Sequence, residues 1–273
     1  TAITLFMRNL PRLSVDIDLM YLPVNDRPEA LADIDAAMKR IKAAALAELP
    51  GARVTENTHD GAILRLLVIA EGTQVKIEVS PVLRGVVHEP STISVTEAVE
   101  EAFGFAETSV VSFEDLFAGK VVAALDRQHP RDLFDVQGLL AHEGLSDALR
   151  EAFIVYLLSH NRPMGEVLSG RVKDLLSEYN NGFEGMTEDT VAIDELVKTQ
   201  HEMIEMLIGG MPDHHREFLI GFERGEPDWS LLTIGHVAAL PAIRWRQRNL
   251  DKLKPDQRSA LVELLRTSLE RRA

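Results

Sequence analysis

The stretch Leu13-Ser14-Val15-Asp16-Ile17-Asp18-Leu19 alternates apolar and polar residues, the period of a half-buried β-strand. Val15, Ile17 and Leu19 fall on one face, and Ser14, Asp16 and Asp18 on the other. Two carboxylates on one strand face repel each other unless a cation lies between them. A magnesium-type ion suits the place, because hard cations take oxygen ligands and commonly bind through one or two carboxylates plus substrate phosphates. A solvated strand edge that carries two aspartates is the plainer alternative, and the choice depends on what the rest of the chain brings to this strand.

Upstream, Thr1–Arg8 reads as an apolar helical segment that Asn9-Leu10-Pro11 breaks. Downstream, residues 23–28 read as a loop. Leu31, Ile34, Met38, Ile41, Ala45 and Leu49 then recur at three- and four-residue steps, which predicts a helix over Glu29–Leu49, stopped by Pro50-Gly51. Three strand-like runs follow, Ala52–Glu56, Ala62–Ala70 and Gln74–Val79. They are joined by the hairpin signals His59-Asp60-Gly61 and Glu71-Gly72-Thr73. In the last run Val75, Ile77 and Val79 take one face, and Gln74, Lys76 and Glu78 the other.

From about Thr96 the spacing is helical almost to the end, in segments that include Phe113–Arg127, Arg131–His142, Ser146–Ser159, Arg171–Tyr179 and Pro241–Leu269. The expected fold is α+β: a mixed-sheet domain over 1–95 and a helical domain over 96–273, with the passage between them somewhere from Pro90 to Ser112.

The 273 residues are 45% hydrophobic and 26% charged, an ordinary globular composition with room for one large or two modest domains. No apolar run is long enough to span a bilayer, and no secretory leader pattern is read, so neither a membrane nor an extracellular setting is expected. Cysteine is absent. This excludes disulfides, thiol catalysis and cysteine metal sites, and it agrees with an expected cytoplasmic location. The net charge of −14 speaks against a general nucleic-acid binder. The charge is uneven, however: residues 244–273 carry +5, so the other 243 carry −19. That tail is either a basic contact surface or a salt-bridged pair of helices.

Three carboxylates stand out, Asp16, Asp18 and Glu78, each on the polar face of a strand. If the two strands are neighbours, the acids converge, as metal-assisted phosphoryl or nucleotidyl transfer requires. The third acid also offers a base for the attacking hydroxyl.

A second constellation runs from Phe113 to Asp135. In a helix Leu116, Lys120, Ala123 and Arg127 share a face. An ammonium and a guanidinium two turns apart suit a triphosphate. The alternative is that Lys120 snorkels while Arg127 pairs with Asp132 or Asp135 across a helical corner, with Arg131 and Asp132 opening the next helix. Gly119-Lys120 is not a P-loop, since Glu114 stands where that motif needs glycine and Val121 where it needs serine or threonine. His201-Glu202 lacks the second histidine of a zincin helix and reads as a surface turn. His214-His215 is expected at the surface, and Trp229 and Trp245 in the core.

Taken together these residues resemble the AbiEii/AbiGii-type nucleotidyltransferase toxins, within the polymerase-beta-like nucleotidyltransferase superfamily. The resemblance rests on Pro11-Arg12-Leu13-Ser14-Val15-Asp16-Ile17-Asp18-Leu19 and on Lys76-Ile77-Glu78. It continues through Glu114-Asp115-Leu116-Phe117-Ala118-Gly119-Lys120, then Arg127, then Arg131-Asp132-Leu133-Phe134-Asp135. The tail Leu240-Pro241-Ala242-Ile243-Arg244-Trp245, with Asn249-Leu250, completes it. The family's Gly-Ser/Thr element would fall at the very start, where Thr1 holds the position of its hydroxyl residue.

The resemblance implies a minimal nucleotidyltransferase sheet followed by helices. Asp16 and Asp18 would hold magnesium, with manganese as a substitute and Glu78 as third acid. Thr1, Ser14, Lys120, Arg127 and Arg131 would serve the nucleoside triphosphate, and Asp132 or Asp135 would position Lys120 or the base. It further implies a toxin of a type IV-like toxin–antitoxin or abortive-infection system, with a cognate antitoxin that is also a transcriptional regulator, and nucleotide transfer to an acceptor such as tRNA. The basic segment 244–273 is then a candidate RNA contact. Two other readings keep the fold: transfer to a protein or small-molecule hydroxyl, and a degenerate member that binds nucleoside triphosphate without catalysis.

Overall fold

The computed structural model describes residues 1–14, 16–169 and 173–270. The expectations that fall on Val15, on Arg171 and on Arg271 and Arg272 in the basic tail lie outside the described residues. The fold is α+β. The chain divides into two compact units, one of residues 1–86, 90–110 and 240–242, the other of 87–89, 111–239 and 243–273.

The first unit opens with a π-helical turn, Ile3–Met7, and then strand β1, Asp16–Tyr21. Helix α1, Arg27–Glu48, starts two residues earlier than the apolar spacing suggests, because Pro28 sits in its first turn, where a missing N–H costs nothing. Strands β2, Arg53–His59, β3, Ala62–Ala70, and β4, Thr73–Arg84, follow. The two hairpins have two-residue loops, Asp60-Gly61 and Glu71-Gly72, all four with positive φ as a type I′ turn demands. The sheet order is β1-β4-β3-β2. β1 pairs with β4 in parallel, while β4–β3 and β3–β2 are antiparallel, so the sheet is mixed. One face lies under α1: Ile34 and Met38 pack with Ile63 and Leu66, and Leu19, Ile77 and Val79 close against them. The polar sides of β1 and β4 are thereby left on the opposite face.

Strands β5, Ser91–Ser94, and β6, Glu107–Val110, pair antiparallel around helix α2, Glu97–Phe103. This small ladder has no counterpart in the sequence pattern, since its strands have only four residues each and little apolar alternation.

The second unit is helical, with α3, Phe113–Asp126; α4, Pro130–His142; α5, Asp147–Leu158; α6, Met164–Leu168; α7, Leu176–Gly182; α8, Ile193–Ile204; and α9, Asp213–Arg224. α5 is apolar nearly all round and forms the centre of the unit, as such a helix must. Gly119 lets α3 approach it closely, since a Cβ there would stand 3.1 Å from the Tyr156 ring. The tail is two helices, α10, Pro241–Asp251, and α11, Pro255–Glu270, where the spacing suggests one. Pro255 supplies no N–H to a continuing helix and forces the break.

Three expectations are corrected. His201 lies within α8, although it is exposed. His215 is buried. Trp229 packs against Phe218 and Phe222, but Trp245 is 59% exposed and not part of the core. No described helix is long and apolar enough to cross a membrane.

Candidate active site

The parallel register sets Asp16 beside Lys76 and Asp18 beside Glu78. Aligned residues on neighbouring strands share a face, so all four stand on the side of the sheet away from α1. A cation of the protein itself stands between Asp16 and Glu78. The Lys76 ammonium lies 2.9 Å from Glu78 Oε2 and 3.5 Å from Asp16 Oδ1. Arg65, opposite Glu78 on β3, donates through Nε to Glu78 Oε1. Partial burial pushes the Glu78 carboxyl up, but Lys76 and Arg65 outweigh it and hold the group below the usual carboxylate range. Glu78 is therefore ionised at neutral pH and, in this pairing, a weak base. The Lys76 ammonium is correspondingly raised, first by its bond to Glu78.

Lys76 and Arg65 are partners of Glu78 that sequence reasoning missed. The alternation of β4 already places Lys76 on the face of Glu78; the position of Arg65 needs the register. Among the described residues, no group of three or more His, Cys, Asp or Glu side chains is placed to hold a metal ion. Glu78 is paired with Lys76 and Arg65, and Asp16 with Lys76, while Asp16 and Asp18 form the hard-oxygen pair of β1. Such a pair fits a magnesium ion whose remaining ligands are water and phosphate oxygens. Nearby in the same unit, Thr1 Oγ1 and Ser14 Oγ lie 2.8 Å apart, so the two hydroxyls expected to serve the nucleotide meet.

In the helical unit α3 starts on Ser112, whose Oγ caps Asp115 N. Lys120 follows two turns on. Its Nζ lies 2.9 Å from Asp132 Oδ1 and 3.1 Å from Asp135 Oδ2, both on α4. Arg127 grips Asp132 with two bonds, Nε at 2.6 Å and an Nη at 3.1 Å. Asp132 and Asp135 are 2% and 1% exposed, Lys120 19% and Arg127 64%. Burial pushes the Asp132 carboxyl up, but Lys120 and Arg127 prevail and hold it below the ordinary range. Both the pairing of Arg127 with Asp132 and the positioning of Lys120 by the two aspartates are thus present together.

The corner that brings these groups together has features no local pattern announces. Gln128 adopts a left-handed φ of 56°. Its side chain donates to Leu125 O and accepts from Lys173 N. His129 caps α4, its Nδ1 accepting from Arg131 N at 3.1 Å, and Pro130 follows in the first turn. Burial and then Arg131 lower the His129 pKa, so the ring is neutral, as an accepting Nδ1 requires. Arg131 itself stands half-buried in that first turn.

Asp115 is a further residue whose role its motif does not reveal. Its buried carboxylate accepts from Val87 N, His88 N, Ser112 Oγ and Tyr156 Oη at 2.8–3.1 Å. It fixes the start of α3, and so the position of Lys120 upon it. Burial, with Asp115 alongside, pushes the Tyr156 hydroxyl far up and keeps it a donor.

A family model described as the nucleotidyl transferase AbiEii toxin of type IV toxin–antitoxin systems covers residues 1–247. No curated protein and no solved structure matches the chain. The match spans both the acid-bearing strands and the Lys120–Asp135 corner, and the chain belongs to the AbiEii family of nucleotidyltransferase toxins.

Proposed function

We propose that this toxin moves a nucleotide from a magnesium-bound nucleoside triphosphate to a hydroxyl of RNA, with tRNA as the acceptor class. The observation that supports this most is the division of charge: hard carboxylates on one sheet face, and cations held by buried aspartates at one helical corner. Asp16 and Asp18 would hold the ion, with Glu78 as third acid. Bound there, it would stabilise charge on the phosphoryl oxygens and orient the triphosphate. Thr1 and Ser14 would donate to phosphate oxygens. Lys120, fixed by Asp132 and Asp135, would present a point charge, and Arg127 a fork for two oxygens. Arg131 would add to the positive field. A cognate antitoxin of the type IV kind would oppose the activity.

The test is incorporation of labelled nucleotide into a panel of tRNA, protein and small hydroxyl acceptors, with magnesium or manganese. Transfer to tRNA by the wild type, lost in Asp16→Asn and sharply reduced in Lys120→Arg, is the expected result. Lys120→Arg keeps the charge beside Asp132 and Asp135, so the protein should still fold. Normal transfer by both variants would overturn the residue assignments, and labelling of protein alone would overturn the acceptor.

A further inference from the structure

The described cations of the tail differ in their surroundings. Some face inward: Arg246 donates to the carbonyls of His160 and Arg162 and stands 3.6 Å from Glu223, and Arg258 donates to the carbonyls of Arg224 and Leu250. These fasten the tail helices to the unit. Three others stand outward, along α10 and just past its end. Arg244 and Arg248 stand one turn apart on one side of α10, Lys252 follows in the turn just past its end, and all three are exposed. Ile243 and Leu250 are buried and dock the opposite side. Trp245 stands among the outer cations, and Lys252 Nζ lies 5.8 Å from the centre of its ring.

An exposed tryptophan is costly to leave in water, and this one is set in a positive lane on a strongly acidic chain. Cations that track phosphates, interleaved with an aromatic ring on which a base can stack, form the pattern of single-strand binding. A duplex keeps its base faces within the stack, so it cannot use such a ring. We infer that the outer face of α10 is a platform for single-stranded RNA, with Trp245 stacking on a base and Arg244, Arg248 and Lys252 meeting phosphates. This deepens the proposal above and rests on RNA being the acceptor.

The experiment is fluorescence anisotropy with a labelled single-stranded oligoribonucleotide and its duplex form, each titrated with full-length protein at several salt concentrations. The wild type should prefer the single strand. Trp245→Ala should weaken binding by about fivefold or more, and Trp245→Phe should retain most of it. Arg244→Gln with Arg248→Gln should flatten the salt dependence, by roughly 0.7 in log–log slope for each phosphate no longer neutralised. Lys198→Gln, an exposed cation on α8, should change nothing. Equal binding by wild type and Trp245→Ala, or equal affinity for duplex, would overturn the platform. If wild type still labels RNA in that case, the acceptor reading survives; if wild type neither binds nor labels RNA, both fall. Binding of an acidic protein in place of RNA at the same residues would likewise overturn the platform.

Discussion

Asp132 is the residue on which the helical corner turns. It takes three hydrogen bonds from Lys120 and Arg127 while almost wholly buried. Removing one partner of a buried pair leaves the other charge uncompensated, which costs about 3–5 kcal/mol when burial is complete. Arg127 is largely exposed, so that side of the loss is small; Lys120 keeps Asp135. Asp132→Ala should therefore lose about 3 kcal/mol in urea denaturation and nearly all transfer activity. The same residue sets an acid limit. Its folded pKa lies below its unfolded one, so its contribution is complete above the unfolded value. That contribution fades as pH falls through the depressed folded value. Stability measured below about pH 4 should fall less steeply for Asp132→Asn than for wild type. Asp115 makes a comparable case without ion pairs. Asp115→Ala would orphan the buried Val87 N–H at about 1–3 kcal/mol and the partly buried His88 N–H at less, whereas Tyr156→Phe should cost only about 1 kcal/mol. Equal losses by thermal denaturation would refute that ranking.

At the scale of elements, what can be read from the chain is whatever is written locally. Asp60-Gly61 and Glu71-Gly72 announce their hairpins, because a two-residue turn needs positive φ twice and few residue pairs supply it. The acids of β1 and β4 are legible because alternation assigns faces. The Lys120–Asp132–Asp135 set is legible as motif spacing, although spacing leaves open which cation each aspartate holds. The β5–β6 ladder is not legible: four residues pair with four others across a helix, and no short-range pattern records it. Trp245 defeats the sequence reading because Leu240, Ala242 and Ile243 just before it suggest burial, while helical phase turns its ring outward. The Gln128 corner is equally hidden, since a left-handed residue is ordinarily glycine or asparagine. Gln128→Ala should cost about 1–2 kcal/mol by removing both side-chain bonds while keeping the strained φ, and Gln128→Gly should cost less. Gly85 makes the opposite point. With φ of 82° and Leu240 Cδ2 2.7 Å from any Cβ, Gly85→Ala should lower thermal stability measurably.

For the molecule as a whole, ligand binding is the broadest check. Nucleoside triphosphate with magnesium should raise the melting temperature by several degrees, since saturation at about 100 times Kd adds about 2.7 kcal/mol. Asp16→Asn should shrink the rise, and a panel of the four triphosphates should rank the preferred nucleotide. No rise with any of them would undo the nucleotide reading. β1 has a consequence of its own here. It forms one border of its sheet, with β4 as its only strand neighbour among the described residues. Charges on such a border discourage foreign strands from joining. Alanine at both aspartates would convert Asp16–Tyr21 into Ala-Ile-Ala-Leu-Met-Tyr, a greasy ribbon open to self-recruitment. An inactive control made that way should come out of cells as inclusion bodies, and its silence would say nothing about chemistry. Asparagine at both positions keeps the border polar, and is the control that separates a dead enzyme from an insoluble one.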